Sequence, residues 1–132
     1  MAHFILEYSS NLGDEALALD NLFEALHRAA VDTGLFPLAG LRSRAHRCSQ
    51  FRVADGTEHF AFVHLQVRIG AGRTEQEKEI ASRRFFEVLS SHLEPIKKSR
   101  GLAVSFELTE LPEKFKYNDN NLRDYIAVPQ EG

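Results

Sequence analysis

One cysteine, Cys48, excludes an internal disulfide and points to a reducing compartment. No apolar run approaches the ~20 residues needed to cross a bilayer. No charged segment leads into an apolar stretch at the N-terminus, so neither a span nor a secretory leader is expected, and the cytoplasm is the expected setting. Positive charge is not in excess: 16 Lys and Arg against 19 Asp and Glu leave −3. Nucleic acid and acidic membranes need a concentrated basic face, so neither is an expected partner.

Common catalytic patterns are also missing. The six histidines, His3, His27, His46, His59, His64 and His92, show no i, i+4 pair and no cysteine at ligand spacing, so no metal site is expected. Cys48 lacks the surroundings of a nucleophile. Ser9, Ser10, Ser90 and Ser91 lie in no nucleophile elbow. Paired carboxylates are absent; the acids crowd onto helices, where solvation explains them.

What remains is an alternating pattern of strands and helices. With 43% apolar residues in 132, the chain suits one domain, 1–132, with halves of about 1–56 and 57–112 and a C-terminal segment, 113–132. His3–Tyr8 has high β-propensity. Leu19, Leu22, Phe23, Leu26 and Ala30 recur at helical spacing within 15–33, and Gly34 is a natural stop. Residues 36–40 form a linking turn. Leu41 to Val53 reads as extended, with Ala54-Asp55-Gly56 closing a hairpin. Residues 60–69 alternate: Ala61, Val63, Leu65, Val67 and Ile69 on a core face, Phe60, Phe62, His64, Gln66 and Arg68 opposite. Thr74-Glu75-Gln76-Glu77 fits a capping box. Ile80, Ala81, Phe85, Val88, Leu89, His92 and Leu93 give a helical stripe, and a strand runs from Leu102 to Leu111.

The order is β-α-β twice, a repeat of pattern only. It suggests an α+β fold: a four-stranded mixed sheet with both helices on one face. The other face is left bare, with Phe60, Phe62, Phe4 or Ile5, and Phe106 or Val104 as contributors, and invites oligomerisation. Residues 115–128 hold Phe115, Tyr117, Leu122, Tyr125 and Ile126, too apolar for a free tail, so packing on the domain or on a neighbouring subunit is expected.

Two basic motifs carry the functional reading. In Ile69-Gly70-Ala71-Gly72-Arg73 a strand feeds a helix through glycines, aiming backbone N–H groups and a helix dipole at one point. Arg73 adds a planar fork suited to carboxylate or phosphate. The loop lacks the Gly-Lys-Ser/Thr ending of a phosphate loop and the third glycine of a dinucleotide fingerprint. A tight turn with a solvated arginine is the alternative. In Leu41-Arg42-Ser43-Arg44, Arg42 and Arg44 share one strand face and repel unless an anion or an acidic side chain lies between them. Salt bridges to Glu or Asp are the alternative.

The segments 3–7, 33–44, 54–56, 60–64, 69–73, 99–110 and Asn120-Asn121 together resemble the 5-carboxymethyl-2-hydroxymuconate isomerases of the tautomerase superfamily, over nearly the whole chain. The resemblance implies a fused double β-α-β subunit, a homotrimer with sheets facing inward, and no cofactor. It implies proton transfer between carbons of an unsaturated 2-hydroxy or 2-keto polycarboxylate, in bacterial homoprotocatechuate breakdown. In that family an N-terminal proline, exposed on removal of the initiator methionine, is the general base. Arginines matching Arg42 and Arg73 hold carboxylates and polarise the oxygen where charge develops, and Arg44 joins them in substrate binding. Here the proline position is Ala2. With Met1 removed, Ala2 offers a primary amine with an ordinary pKa of about 7.7–8.0. Nearby arginines lower it toward neutrality, where an amine can act as base. Without the proline ring to fix the nitrogen, slower turnover is expected. The alternatives are a non-catalytic trimer of the same descent, binding a small carboxylate or a protein partner, and a ferredoxin-like dimer with the same element order.

Overall fold

The computed structural model describes residues 1–127; the last five residues of the expected C-terminal segment, 128–132, lie outside them. The strands are β1 (Ala2–Ser9), β2 (Leu41–Cys48), β3 (Ala61–Ile69) and β4 (Leu102–Glu110), ordered β2-β1-β3-β4 in one sheet. β1 runs parallel to β2, and β3 parallel to β4. The two halves meet through antiparallel pairing of β1 with β3, in which Leu6 faces Leu65. Each parallel pair needs a helical crossover. The first comprises a short α1 (Asp14–Leu17) and α2 (Leu19–Asp32); the second is α3 (Glu75–Ser99). Among the described residues no helix is long and apolar enough to cross a membrane.

Alternation on β3 builds the core as expected. Ala61, Val63, Leu65, Val67 and Ile69 are fully buried, beside Phe4 and Leu6 of β1. The helices cover this face with Leu22 and Leu26 of α2 and Phe85, Leu89 and Leu93 of α3. The Phe4 and Phe85 rings meet edge to face, centroids 5.0 Å apart. Each such apolar side chain contributes about 1.5–3 kcal/mol by leaving water. Ile80, expected in the stripe, is 59% exposed, while Ile96 belongs to the core.

Three further expectations need correction. The helix anticipated over 15–33 is broken at Ala18, which has φ 44° and separates α1 from α2. A distant contact sits at the break: the His92 ring nitrogen Nε2 bonds the Leu17 carbonyl, the acceptor that helix continuation would use, at 2.6 Å. Second, β2 ends at Cys48 and no β2–β3 hairpin exists, because β1 lies between them. Ala54-Asp55-Gly56 does make a turn, with Gly56 N–H donating to Val53 O at 2.9 Å, but within the loop joining the halves.

Third, the bare sheet face is mostly polar. Phe4 points into the core, and Val104 and Phe106 pack on the helix side, Phe106 against Phe86. The register places His3, Ile5 and Glu7 of β1 on the open face with Arg42, Arg44 and His46 of β2. Phe62, His64, Gln66 and Arg68 of β3 join them beside Ser105 and Glu107 of β4. His64 bonds Ser105 Oγ through Nδ1 at 2.6 Å and approaches Glu107 Oε1 through Nε2 at 3.3 Å.

Candidate active site

One end of the sheet gathers both basic motifs. There β1 and β2 begin and β3 and β4 end, because Ala2 pairs with Leu41 and Ile69, and Ile69 with Glu110. The first crossover carries Arg42, and the antiparallel pairing of β1 with β3 carries Arg73, to the first residues of the chain, although 30 residues separate the two in sequence. Gly40 permits the approach: a Cβ there would lie 3.2 Å from Met1 Cα and 3.4 Å from Met1 N. The Met1 carbonyl accepts from Gly70 N–H at 3.2 Å. Ala2 behind it is fully buried.

The Met1 α-amine lies below its ordinary pKa of 8.0. Burial is the largest cause, followed by the charges of Arg73, Lys116 and Arg42. Both effects disfavour the ammonium form. Among the described residues no acid pairs within 4.0 Å with Arg42, Arg44, Arg68, Arg73 or Lys116. The salt-bridge alternative for Arg42 and Arg44 therefore does not hold. Arg44 instead donates from Nη1 to His3 Nδ1 at 3.2 Å. Only a neutral imidazole accepts there, and the His3 pKa is lowered accordingly, chiefly by burial and then by Arg42, Arg44 and Arg68.

Arg73 is held from three sides. Its Nη1 donates to Gly70 O at 3.0 Å and its Nη2 to Leu35 O at 2.7 Å. Its guanidinium carbon stands 4.3 Å from the centroid of the Phe36 ring. Three of its five N–H groups remain for a ligand. Gly72, at φ 114°, makes the turn that brings Arg73 back over the loop. The expected contribution of the helix start is smaller than its motif suggests. Thr74 Oγ1 accepts from Glu77 N–H at 3.1 Å and the Glu77 carboxylate accepts from Thr74 N–H at 2.9 Å. The capping box is formed, and it puts a carboxylate of the chain itself where an external anion would go. The groups left to face an anion at this end are the side-chain cations and the amine.

Sequence reasoning missed Lys116. Residues 111–121 return across the end of the sheet, tied by Leu111 N–H to Ile69 O at 2.7 Å and by Asn120 Nδ2 to Ala39 O at 2.8 Å. Lys116 Nζ and Arg73 Nη1 each lie 3.9 Å from the point a Cβ on Gly70 would occupy. Of the two expectations for this segment, packing on the domain does not hold for Phe115, Tyr117 and Tyr125, which are 91%, 95% and 79% exposed; packing on a neighbouring subunit is the one left.

The fold and the basic, amine-centred site define a tautomerase-fold protein. A fused 4-OT wild-type protein, solved as an asymmetric trimer, shares the fold at TM-score 0.61, with 18% identity over 93% of this chain and 98% of the other. The family model of 5-carboxymethyl-2-hydroxymuconate isomerase matches residues 2–126. The chain belongs to that family and is an isomerase. It is 40% identical over 122 residues to 5-carboxymethyl-2-hydroxymuconate Delta-isomerase of Escherichia coli, spanning 92% of this chain and 96% of the relative. A 5-carboxymethyl-2-hydroxymuconate isomerase from Deinococcus radiodurans R1 superposes at TM-score 0.86, with 35% identity over 96% of this chain and 95% of the other. Family membership does not favour the non-catalytic alternative.

Proposed function

We propose that this chain tautomerises 5-carboxymethyl-2-hydroxymuconate or a close unsaturated 2-hydroxy polycarboxylate, without a cofactor, in homoprotocatechuate breakdown in the cytoplasm. The observation that carries this reading is the placement of the chain terminus among Arg73, Lys116 and Arg42, whose charges, together with burial, lower the pKa of the Met1 amine there. Removal of Met1 hands the base role to the Ala2 amine and empties the space over Gly40. The neutral amine takes a proton from the substrate and returns it to a different carbon, so composition is unchanged. Arg73 and Arg42 neutralise carboxylates and the oxygen on which charge builds in the dienolate-like transition state.

The working unit is a homotrimer joined through the open sheet faces. The polar ladder of His64, Ser105 and Glu107 and the exposed Phe115, Tyr117 and Tyr125 are then contact surface.

The test is an ultraviolet assay of enol-to-keto conversion, with the N-terminus verified by intact mass. The processed Ala2 chain, its Ala2→Pro variant and Arg42→Ala are compared. Turnover is expected from the first, faster from the second and nearly lost in the third. Activity in Ala2→Pro alone overturns the amine assignment, and activity indifferent to Arg42→Ala overturns the carboxylate site.

A further inference from the structure

We infer that Lys116 is a specificity-determining residue that binds a carboxylate of the substrate, so that the returning C-terminal segment makes the site selective for three carboxylates over two. The inference rests on the isomerase reading above for the identity of the ligand, but the geometry stands apart from it.

The segment is placed by two bonds outside the lysine itself, Leu111 N–H to Ile69 O and Asn120 Nδ2 to Ala39 O. Between these ties the backbone takes φ 62° at Phe115, a left-handed conformation that disfavours a large side chain. Phe115 and Tyr117 point to solvent while Lys116 reaches the space above Gly70, facing Arg73. No acid within 4.0 Å neutralises Lys116 among the described residues. Gly70 keeps the space between the two cations open, since a side chain there would enter it. Arg42, on β2 beyond the chain terminus, and Arg73 each suit one carboxylate; a third cation across the gap suits a third. Lysine is a compact point charge on a flexible stem, able to follow a carboxymethyl arm.

The experiment is calorimetric binding of two saturated probes that cannot turn over, propane-1,2,3-tricarboxylate and propane-1,3-dicarboxylate, to the wild-type chain, Lys116→Met and Lys116→Arg. The wild type is expected to favour the tricarboxylate roughly five- to tenfold, as a partly screened charge-assisted contact allows. Lys116→Met weakens the tricarboxylate far more than the dicarboxylate and so removes that preference, and Lys116→Arg retains most of it. No preference in the wild type, equal weakening for both probes, or a preference that survives Lys116→Met overturns the inference. Turnover of 5-carboxymethyl-2-hydroxymuconate by the same samples decides the isomerase reading separately. If turnover fails while the binding preference holds, only the catalytic proposal falls.

Discussion

Replacing Arg73 by alanine separates its two roles. The side chain donates to two main-chain carbonyls, at 2.7 and 3.0 Å, and stacks on Phe36 at 4.3 Å. A hydrogen bond from a charged group contributes about 1.5–3 kcal/mol net. A half-exposed cation–π contact adds about 0.5–1 kcal/mol. Water reaches Leu35 O and Gly70 O once the side chain is gone and recovers part of this. A loss of about 2–4 kcal/mol is expected with no ligand present. In a chain of this size that is a fall of roughly 6–14 °C in Tm, measured at fixed protein concentration because assembly contributes. Arg42→Ala, with no such bonds among the described residues, is expected to cost under about 1 kcal/mol and to act on KM and kcat instead. The assay is urea denaturation of both variants beside the parent chain. Equal midpoints for Arg73→Ala and the parent would falsify the structural role, leaving Arg73 a ligand-binding group only.

Phe85→Ala empties a fully buried site against Phe4 and Phe36 and should cost about 3–5 kcal/mol in urea denaturation; under 1 kcal/mol counts against the core described. Stability should fall as pH drops below about 6.5. His3 and His27 titrate lower in the folded chain than that ordinary value, so the unfolded chain takes up protons first, and the loss grows down through the folded pKa values. His27→Gln should flatten this dependence, and a denaturation midpoint higher at pH 5 than at pH 7 contradicts it. With Met1 absent, Ala2→Pro should raise kcat by on the order of ten- to a hundredfold, because the ring fixes the nitrogen's direction; a slower proline variant refutes that cost of alanine.

The sheet and its helices could be read from local chemistry. Strict alternation on β3 and the Thr74–Glu77 capping box specify their elements without help from elsewhere. What could not be read depends on distant partners. Alanine is the best helix former, so nothing near Ala18 announces the break, where His92 reaches Leu17 from α3. The hairpin expectation at Ala54–Gly56 recognised a real turn but not the insertion of β1 between the strands it joins. At the site, Arg42 and Arg73 stood out through their motifs. Lys116 did not, because its position depends on Asn120 reaching Ala39, a contact 81 residues long in sequence. The capping box was recognised, yet its effect on the anion cradle was clear only once Glu77 was seen to fill the helix start.

The strand order has a consequence during synthesis. β1 is the first strand made, yet it ends in the middle of the sheet, with Ala2 sealed between Leu41 and Ile69. Translation at about 5–20 residues per second delivers β3 within several seconds of the start. Until then the first residues are accessible to a peptidase at the ribosome; once β3 pairs, Ala2 is out of reach. Where Met1 is the initiator, its trimming is then in a race with folding. Expression that outruns the peptidase would trap a folded, methionine-blocked population, and slower synthesis in the same cells would deplete it.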